Sequence, residues 1–503
     1  MSTMQKMIVN KIYICALLCM YIIMIWFSYT YKTDPYLWFD EAGQFWISKG
    51  LNHDSDPLST QGNLFDVIIN NQMYNLDPGG FSIILHVWSM FSNHYLWLRL
   101  LPFLFFVFTV IGWIYLSYQW TKDKFISLCI GFVPLLVPML YNEAFEIRAY
   151  SMEVLGCVIG CIAIDSLQKR ITYKRLLIWS LLLSIFMTSR YSFIIVAFVI
   201  STYVLYLIYK TSSSITQKIL MLLVYSIPLV LTLIYVYFCV MKYQNPNAST
   251  LFYLPYLSEN IKILVHVASI RHLFYLVLIV WSAFTFRDSH LLPQYTGLIY
   301  VTLVTNIIFL ILSIFGLHPW SGDTTRCISM ITLVIISFSA IIASLMKKTS
   351  QLVDFRIIVL IFISCRLLSL YKFDVKHALH RENALIHFQK IENKDKANKV
   401  YVDRWESPCM RYQFEYGLLK NDTTYPENFT FCKFRPHNLM LISNEKQVTL
   451  SELYATQPDL DEEFYDNYSV LIMPEIFWFK SEVACTKWES ISNKNIVWIR
   501  KNQ

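Results

Sequence analysis

The chain has 503 residues, 55% of them hydrophobic and 15% charged, whereas a soluble domain usually carries about 25% charged residues. That composition excludes an ordinary soluble protein, and the apolar residues gather into runs long enough to cross a bilayer, about 20 residues each. The net charge of +7 does not point to nucleic acid: residues 1–371 hold 24 Lys and Arg against 16 Asp and Glu, and residues 372–503 hold 18 against 19. The excess sits where positive charge marks cytoplasmic loops.

The first run, 8–29, is longer than the apolar core of a signal peptide and lacks a small-x-small cleavage site, so it reads as a retained first span. Further runs lie at 95–119, 125–142, 150–167, 175–189, 191–209, 218–241, 272–286, 292–316, 326–346 and 355–371, which makes about eleven transmembrane helices. The 175–189 and 272–286 runs are short, and the turn at 189–191 is tight. With the N-terminus inside, Lys6, Lys11, Lys122, Lys124, Lys169, Arg170, Lys174, Arg175, Lys210, Lys218, Arg287, Lys347, Lys348 and Arg356 all fall on the cytoplasmic side. Segments 30–94, 142–149, 242–271, 317–325 and the tail 372–503 are then extracytoplasmic. This describes a multi-pass protein of the plasma (inner) membrane.

Loop 30–94 is acidic: Asp34, Asp40, Glu41, Asp54, Asp56, Asp66 and Asp77 face only Lys32 and Lys49. Asp40 is expected to cap a helix from Glu41 to Gly50. Asp77 is expected to cap a second, amphipathic helix that has Pro78 as its first residue and carries His86. The tail changes character. Short β-like runs at 399–403, 438–442, 469–473 and 495–499 alternate with helical stretches at 408–420 and 450–464, the pattern of a small α/β domain over 372–503. The 11 cysteines show no CxxC spacing, and three of them, Cys409, Cys432 and Cys485, lie in this tail.

Two clusters can carry chemistry. The adjacent carboxylates Asp40 and Glu41, beside Trp38 and Phe39 at a membrane surface, suit general-base work on a hydroxyl acceptor. They can also hold a divalent cation. The plainer alternative is a helix cap favoured by the helix dipole. Glu146, Arg148 and Tyr150, in Asn142-Glu143-Ala144-Phe145-Glu146-Ile147-Arg148-Ala149-Tyr150, suit an ion pair beside a phosphate, or else a salt bridge that only orients two spans. Arg326 follows His318-Pro319-Trp320-Ser321-Gly322-Asp323 at the start of a span, where it can meet a lipid phosphate or snorkel to the interface.

Asp40-Glu41, Asp77-Pro78-Gly79-Gly80, Arg99-Leu100-Leu101-Pro102 and Glu146-Ile147-Arg148-Ala149-Tyr150 resemble, in order, spacing and side of the membrane, a family pattern. It is that of the protein O-mannosyltransferase and lipid A aminoarabinose-transferase group of GT-C glycosyltransferases. The likeness covers about residues 30–170; later spans agree in number and topology. It implies a GT-C-like transmembrane domain over 1–371, a sugar donor on polyprenyl phosphate, and inverting transfer on the outer face to a glycan, lipid or protein acceptor. It implies Asp40 as base or acceptor-orienting group, Glu41 and Glu146 as shaping the acceptor and donor pockets, and Arg148 with Arg326 near the phosphate. The candidate site is then Asp40 and Glu41 as catalytic residues, with Asp77, Glu146, Arg148, Tyr150, His318 and Arg326 as substrate-binding ones. Asp77 and Gly79 depart from the family's usual His and Pro. No P-loop or dinucleotide fingerprint competes with this reading.

Two other classes remain open from the sequence. A transporter or flippase of lipid-linked glycans would place charges in mid-span and break its helices there; few mid-span charges are visible. A non-catalytic sensor or scaffold gives no reason for both charged clusters to share one side.

Overall fold

The computed structural model describes residues 3–50, 62–75, 77–211, 213–244, 277, 280, 292–315, 326–349, 358–367, 399–402, 406–420, 429–431, 470–472, 488–490 and 497–500. The chain enters on α1 (Thr3–Lys32), followed by three short helices, α2 (Phe39–Ser48), α3 (Leu64–Tyr74) and α4 (Gly80–Ser89). Next come α5 (Tyr95–Thr121), α6 (Lys124–Gly131), α7 (Val133–Leu136), α8 (Pro138–Asn142), α9 (Tyr150–Lys169), α10 (Tyr173–Met187), α11 (Tyr191–Lys210) and α12 (Ile215–Tyr235). The later helices are α13 (Leu292–Ile314), α14 (Ile328–Thr349), the short apolar α15 (Ile358–Leu367) and α16 (Ser407–Glu415).

This is a polytopic membrane protein. Among the described residues seven helices are long and apolar enough to cross a bilayer: α1, α5, α9, α11, α12 with its π-helical extension, α13 and α14. The run at 125–142, expected as one straight span, is instead a pair of segments, Lys124–Leu136 and Pro138–Phe145, bent by 75°. Pro138 has no N–H to continue the ladder and its ring crowds the preceding turn, so the helix breaks there. The run at 175–189 becomes the 15-residue α10. The run at 272–286 lies outside the described residues apart from 277 and 280.

The most deeply packed span is α9: 83% of its apolar window is buried, against 17% in α1 and 28% in the α12 span. The outward faces of those two carry Ile22, Ile23, Trp26, Leu231 and Ile234, as lipid-facing helices do. One end of the bundle is basic: Lys122 and Lys169 both donate to Gln119 Oε1, at 2.7 and 2.8 Å. At the opposite end gather α2–α4, segment 142–149, the 188–190 turn and residues 242–244.

The short strands β1 (Val400–Val402), β2 (Phe429–Phe431), β3 (Val470–Ile472), β4 (Trp488–Ser490) and β5 (Val497–Arg500) form one mixed sheet in the order β2-β1-β3-β5-β4. β1 is parallel to β2 and β3, while β5 is antiparallel to β3 and β4. Val400, Tyr401 and Val402 are all buried, the mark of a strand covered on both faces. β2 and β4 were not legible in the sequence. The expected strand at 438–442 and helix at 450–464 lie outside the described residues.

Candidate active site

The two carboxylates of α2 have different surroundings. The helix begins at Phe39, so Asp40 occupies its second position and Glu41 its third, and neither is the cap; that place falls to Trp38. Successive helical side chains are splayed by about 100°. Glu41 therefore turns inward, where it is fully buried. There it meets Arg99 in a two-pronged ion pair, Nη1–Oε1 2.5 Å and Nη2–Oε2 2.9 Å. The Ile147 amide donates to Oε1 at 3.0 Å and the Trp38 amide to Oε2 at 3.3 Å. Arg99 in turn donates to the carbonyls of Asp34 (2.9 Å), Tyr36 (2.9 Å) and Phe145 (2.6 Å). A buried pair with its lone pairs and protons met in this way is a fastener, here joining the start of α2 to α5 and segment 145–147. The geometry thus gives Glu41 a scaffolding place, not the reactive one expected beside Asp40.

Asp40 turns the other way. Its side chain is 34% exposed and stands 3.9 Å from Arg148 Nη2. Arg148 lies 5.8 Å from the centre of the Tyr150 ring, and Arg190 lies 4.7 Å from the same ring. Arg190 also meets Asp77 (Nε–Oδ1 3.5 Å) and Glu153 (Nη1–Oε2 3.2 Å). Glu153 is fully buried and accepts a further hydrogen bond from Ser192 Oγ. Five charged groups and a tyrosine, from α2, the α3–α4 link, the segment before α9, α9 itself and the α10–α11 turn, thus converge at one end of the bundle.

The position of Asp77 follows from a short glycine pair. The helix expected to begin at Pro78 with Asp77 as its cap begins at Gly80 instead, with Gly79 capping it at φ +91°. That left-handed backbone favours glycine. Gly80 then presses onto the α10–α11 turn, its amide donating to the Thr188 carbonyl at 2.9 Å, and a Cβ there would lie 1.9 Å from Thr188 Oγ1. Freed from capping, Asp77 faces Arg190. Gln244, just past the π-helical end of the α12 span, secures the link by donating to the carbonyls of Asn75 (2.9 Å) and Asp77 (3.1 Å), while Tyr191 Oη donates to Gln244 Oε1 at 2.5 Å.

α4 is held against α2 by His86 Nδ1 and the Ser48 carbonyl, 2.7 Å apart, and by Lys49 Nζ, which donates to the Ser89 carbonyl at 3.2 Å. Burial pushes the Lys49 ammonium down to about 8. On the other side of α2 lies α16: Trp46 Nε1 donates to the Pro408 carbonyl at 3.0 Å, Gln413 to the Pro35 carbonyl at 2.9 Å, and Tyr36 Oη to Glu406. Burial, with Cys409 and Glu406 close by, raises the Tyr36 phenol, which therefore stays a donor.

The structure brings together Asp40, Asp77, Arg148 and Tyr150 of the residues expected from the sequence. Glu146 is buried nearby, and its charge is felt by Arg99. Arg326 is half-buried just before α14, and His318 lies outside the described residues. Arg190 and Glu153 were missed. The signals were an arginine inside the tight 189–191 turn and a carboxylate one turn into an apolar run, which is a functional candidate by default. Among the described residues no three His, Cys, Asp or Glu side chains gather as a metal ion would require. The Glu41 half of the expected cation site is taken by Arg99.

No family model matches the sequence, and no curated protein does. Solved structures do match. ArnT from Cupriavidus metallidurans in the apo state aligns over 98% of each chain with a TM-score of 0.54 at 10% identity. The same protein bound to undecaprenyl phosphate aligns over 96% of this chain and 97% of its own, again with a TM-score of 0.54 at 10% identity. The archaeal oligosaccharyltransferase AglB from Archaeoglobus fulgidus, in complex with an inhibitory peptide and a dolichol-phosphate, aligns over 96% of this chain and 74% of its own with a TM-score of 0.44 at 10% identity.

Proposed function

We propose that this chain, which has the GT-C membrane fold, is a glycosyltransferase that moves a sugar from a polyprenyl-phosphate donor to a hydroxyl acceptor at the acidic end of the bundle. On this reading that end faces the extracytoplasmic side, the N-terminus is cytoplasmic, and the 372–503 tail is an α/β domain on the outer surface. The observation that carries it is Asp40, a carboxylate 34% exposed beside Arg148, in the charged cluster where the helices of loop 30–94 meet the bundle. ArnT was solved with undecaprenyl phosphate bound, a carrier of the class proposed here.

The acceptor oxygen attacks the anomeric carbon from the face opposite the phosphate. Its proton passes to the Asp40 carboxylate, the anomeric C–O bond breaks, and the electron pair leaves on the polyprenyl phosphate with inversion. Positive charge from arginines at this end, with Arg148 and Arg326 the candidates named by sequence, offsets the charge that develops on the departing phosphate. Tyr150, Asp77 and Glu146 shape the donor side. The test is Asp40→Asn in proteoliposomes supplied with a polyprenyl-phosphate sugar. Turnover should fall by about 10²–10⁴-fold, the usual worth of a general base, while insertion and thermal stability stay as in the parent. Unchanged product formation would overturn the mechanism.

A further inference from the structure

Inverting displacement puts the attacking and leaving oxygens on opposite sides of the anomeric carbon. Arg148 stands beside Asp40, so part of its charge is answered by the base. The leaving phosphate therefore calls for a further cation that is not paired with the base. Arg190 is the arginine in the cluster that meets this condition: it ion-pairs with Asp77 and Glu153, and its side chain keeps 14% exposure.

What holds Arg190 there is unusual for an apolar span. Glu153 sits one turn into α9 with no exposure at all. A bare carboxylate in that setting is costly, and a buried charge persists only when paired and hydrogen-bonded. Both conditions are met: Oε2 takes Arg190 Nη1 at 3.2 Å, and Oε1 takes the Ser192 hydroxyl from the first turn of α11. The Tyr150 ring lies 4.7 Å from the guanidinium carbon. Arg190 is thus anchored at one edge by α9 and α11 and set against an aromatic surface, the kind of preorganisation that lets a guanidinium receive a phosphate without rearrangement.

We propose that Arg190 binds the phosphate of the lipid-linked donor and that Glu153 is the positioning residue that fixes it, an assignment that rests on the glycosyltransferase reading above. The test uses the full-length protein in nanodiscs, with a polyprenyl phosphate as probe and the matching unphosphorylated polyprenol as control. Wild type should prefer the phosphate. Arg190→Gln should abolish that preference, and Arg190→Lys should restore only part of it, because a point charge lacks the planar fork. Glu153→Gln should weaken phosphate binding by about 10–100-fold, the worth of a hydrogen bond to a charged group, and raise the donor KM in turnover while polyprenol binding stays unchanged. Glu153→Asp should recover part of the loss.

If Glu153→Gln does not fold, Ser192→Ala carries the same comparison with a smaller effect. A folded Glu153→Gln protein with wild-type phosphate affinity and donor KM would overturn the positioning role, and a folded Arg190→Gln protein with wild-type affinity would overturn the phosphate assignment. Asp40→Asn separates the two readings: it should bind the phosphate normally and turn over poorly. A wild type that does not distinguish phosphate from polyprenol would overturn the glycosyltransferase reading together with this one.

Discussion

Asp40 and Glu41 are neighbours in sequence with the same functional group, and the helix geometry alone sends them to different environments. Glu41 and Arg99 bury opposite charges that each depend on the other, so removing one partner strands the second. Glu41→Gln or Arg99→Ala is expected to cost about 3–5 kcal/mol, read as a large drop in the thermal midpoint, while Asp40→Asn leaves that midpoint in place. Lys49 offers a different reading of burial. Its ammonium is lowered to about 8 from an unfolded value of 10.5, so between those values the unfolded chain holds the extra proton. Stability should therefore rise as pH increases from about 8 to 10.5 and be flat for this group below 8. Lys49→Met should remove that rise in a pH series of melting curves and raise the midpoint at neutral pH.

At the scale of elements, the site depends on how α4 meets the α10–α11 turn. A side chain at Gly79 must adopt a left-handed backbone, which costs about 1–2 kcal/mol. A side chain at Gly80 must displace Thr188, including its backbone. Gly80→Ala should thus be the more damaging of the two, and it should act on function as well as stability, since it pushes Asp77 away from Arg190. Comparing thermal midpoint and donor KM in the two variants checks this: Gly79→Ala mainly lowers the midpoint, and Gly80→Ala changes both. Beside this contact, Trp88 and Trp97 stack 4.4 Å apart with each indole donating to the other's carbonyl, at 2.7 and 2.8 Å, which fixes the turn from α4 into α5.

At the scale of the molecule, the membrane bundle and the tail meet at α2. Phe45 packs edge-on against Tyr412 and Tyr416, and Tyr412 Oη reaches the Asn93 carbonyl at 2.8 Å. The helix that carries Asp40 is therefore braced by α4 on one side and by α16 on the other. Loosening the tail contact should be felt at the site although, among the described residues, none from the tail belongs to it. Gln413→Ala combined with Tyr412→Phe is expected to raise hydrogen–deuterium exchange over residues 39–48 and to lower turnover, each lost hydrogen bond being worth about 0.5–1.5 kcal/mol. Unchanged exchange there would show that α2 is held without these two contacts.

The amino-acid sequence by itself determined that the chain is a polytopic membrane protein, because the tendency of a run such as 191–209 or 326–346 to enter lipid is a local sum over its own side chains. It also marked Asp40, Arg148 and Tyr150, whose residue types carry chemistry wherever they sit. Only the tertiary structure decided which of two adjacent carboxylates is engaged and which stands open. That choice depends on an arginine 58 residues further along the chain. The same holds for Arg190 and Glu153, 37 residues apart. Each is an isolated charge beside an apolar run until α9 and α11 pack and burial obliges the two to pair.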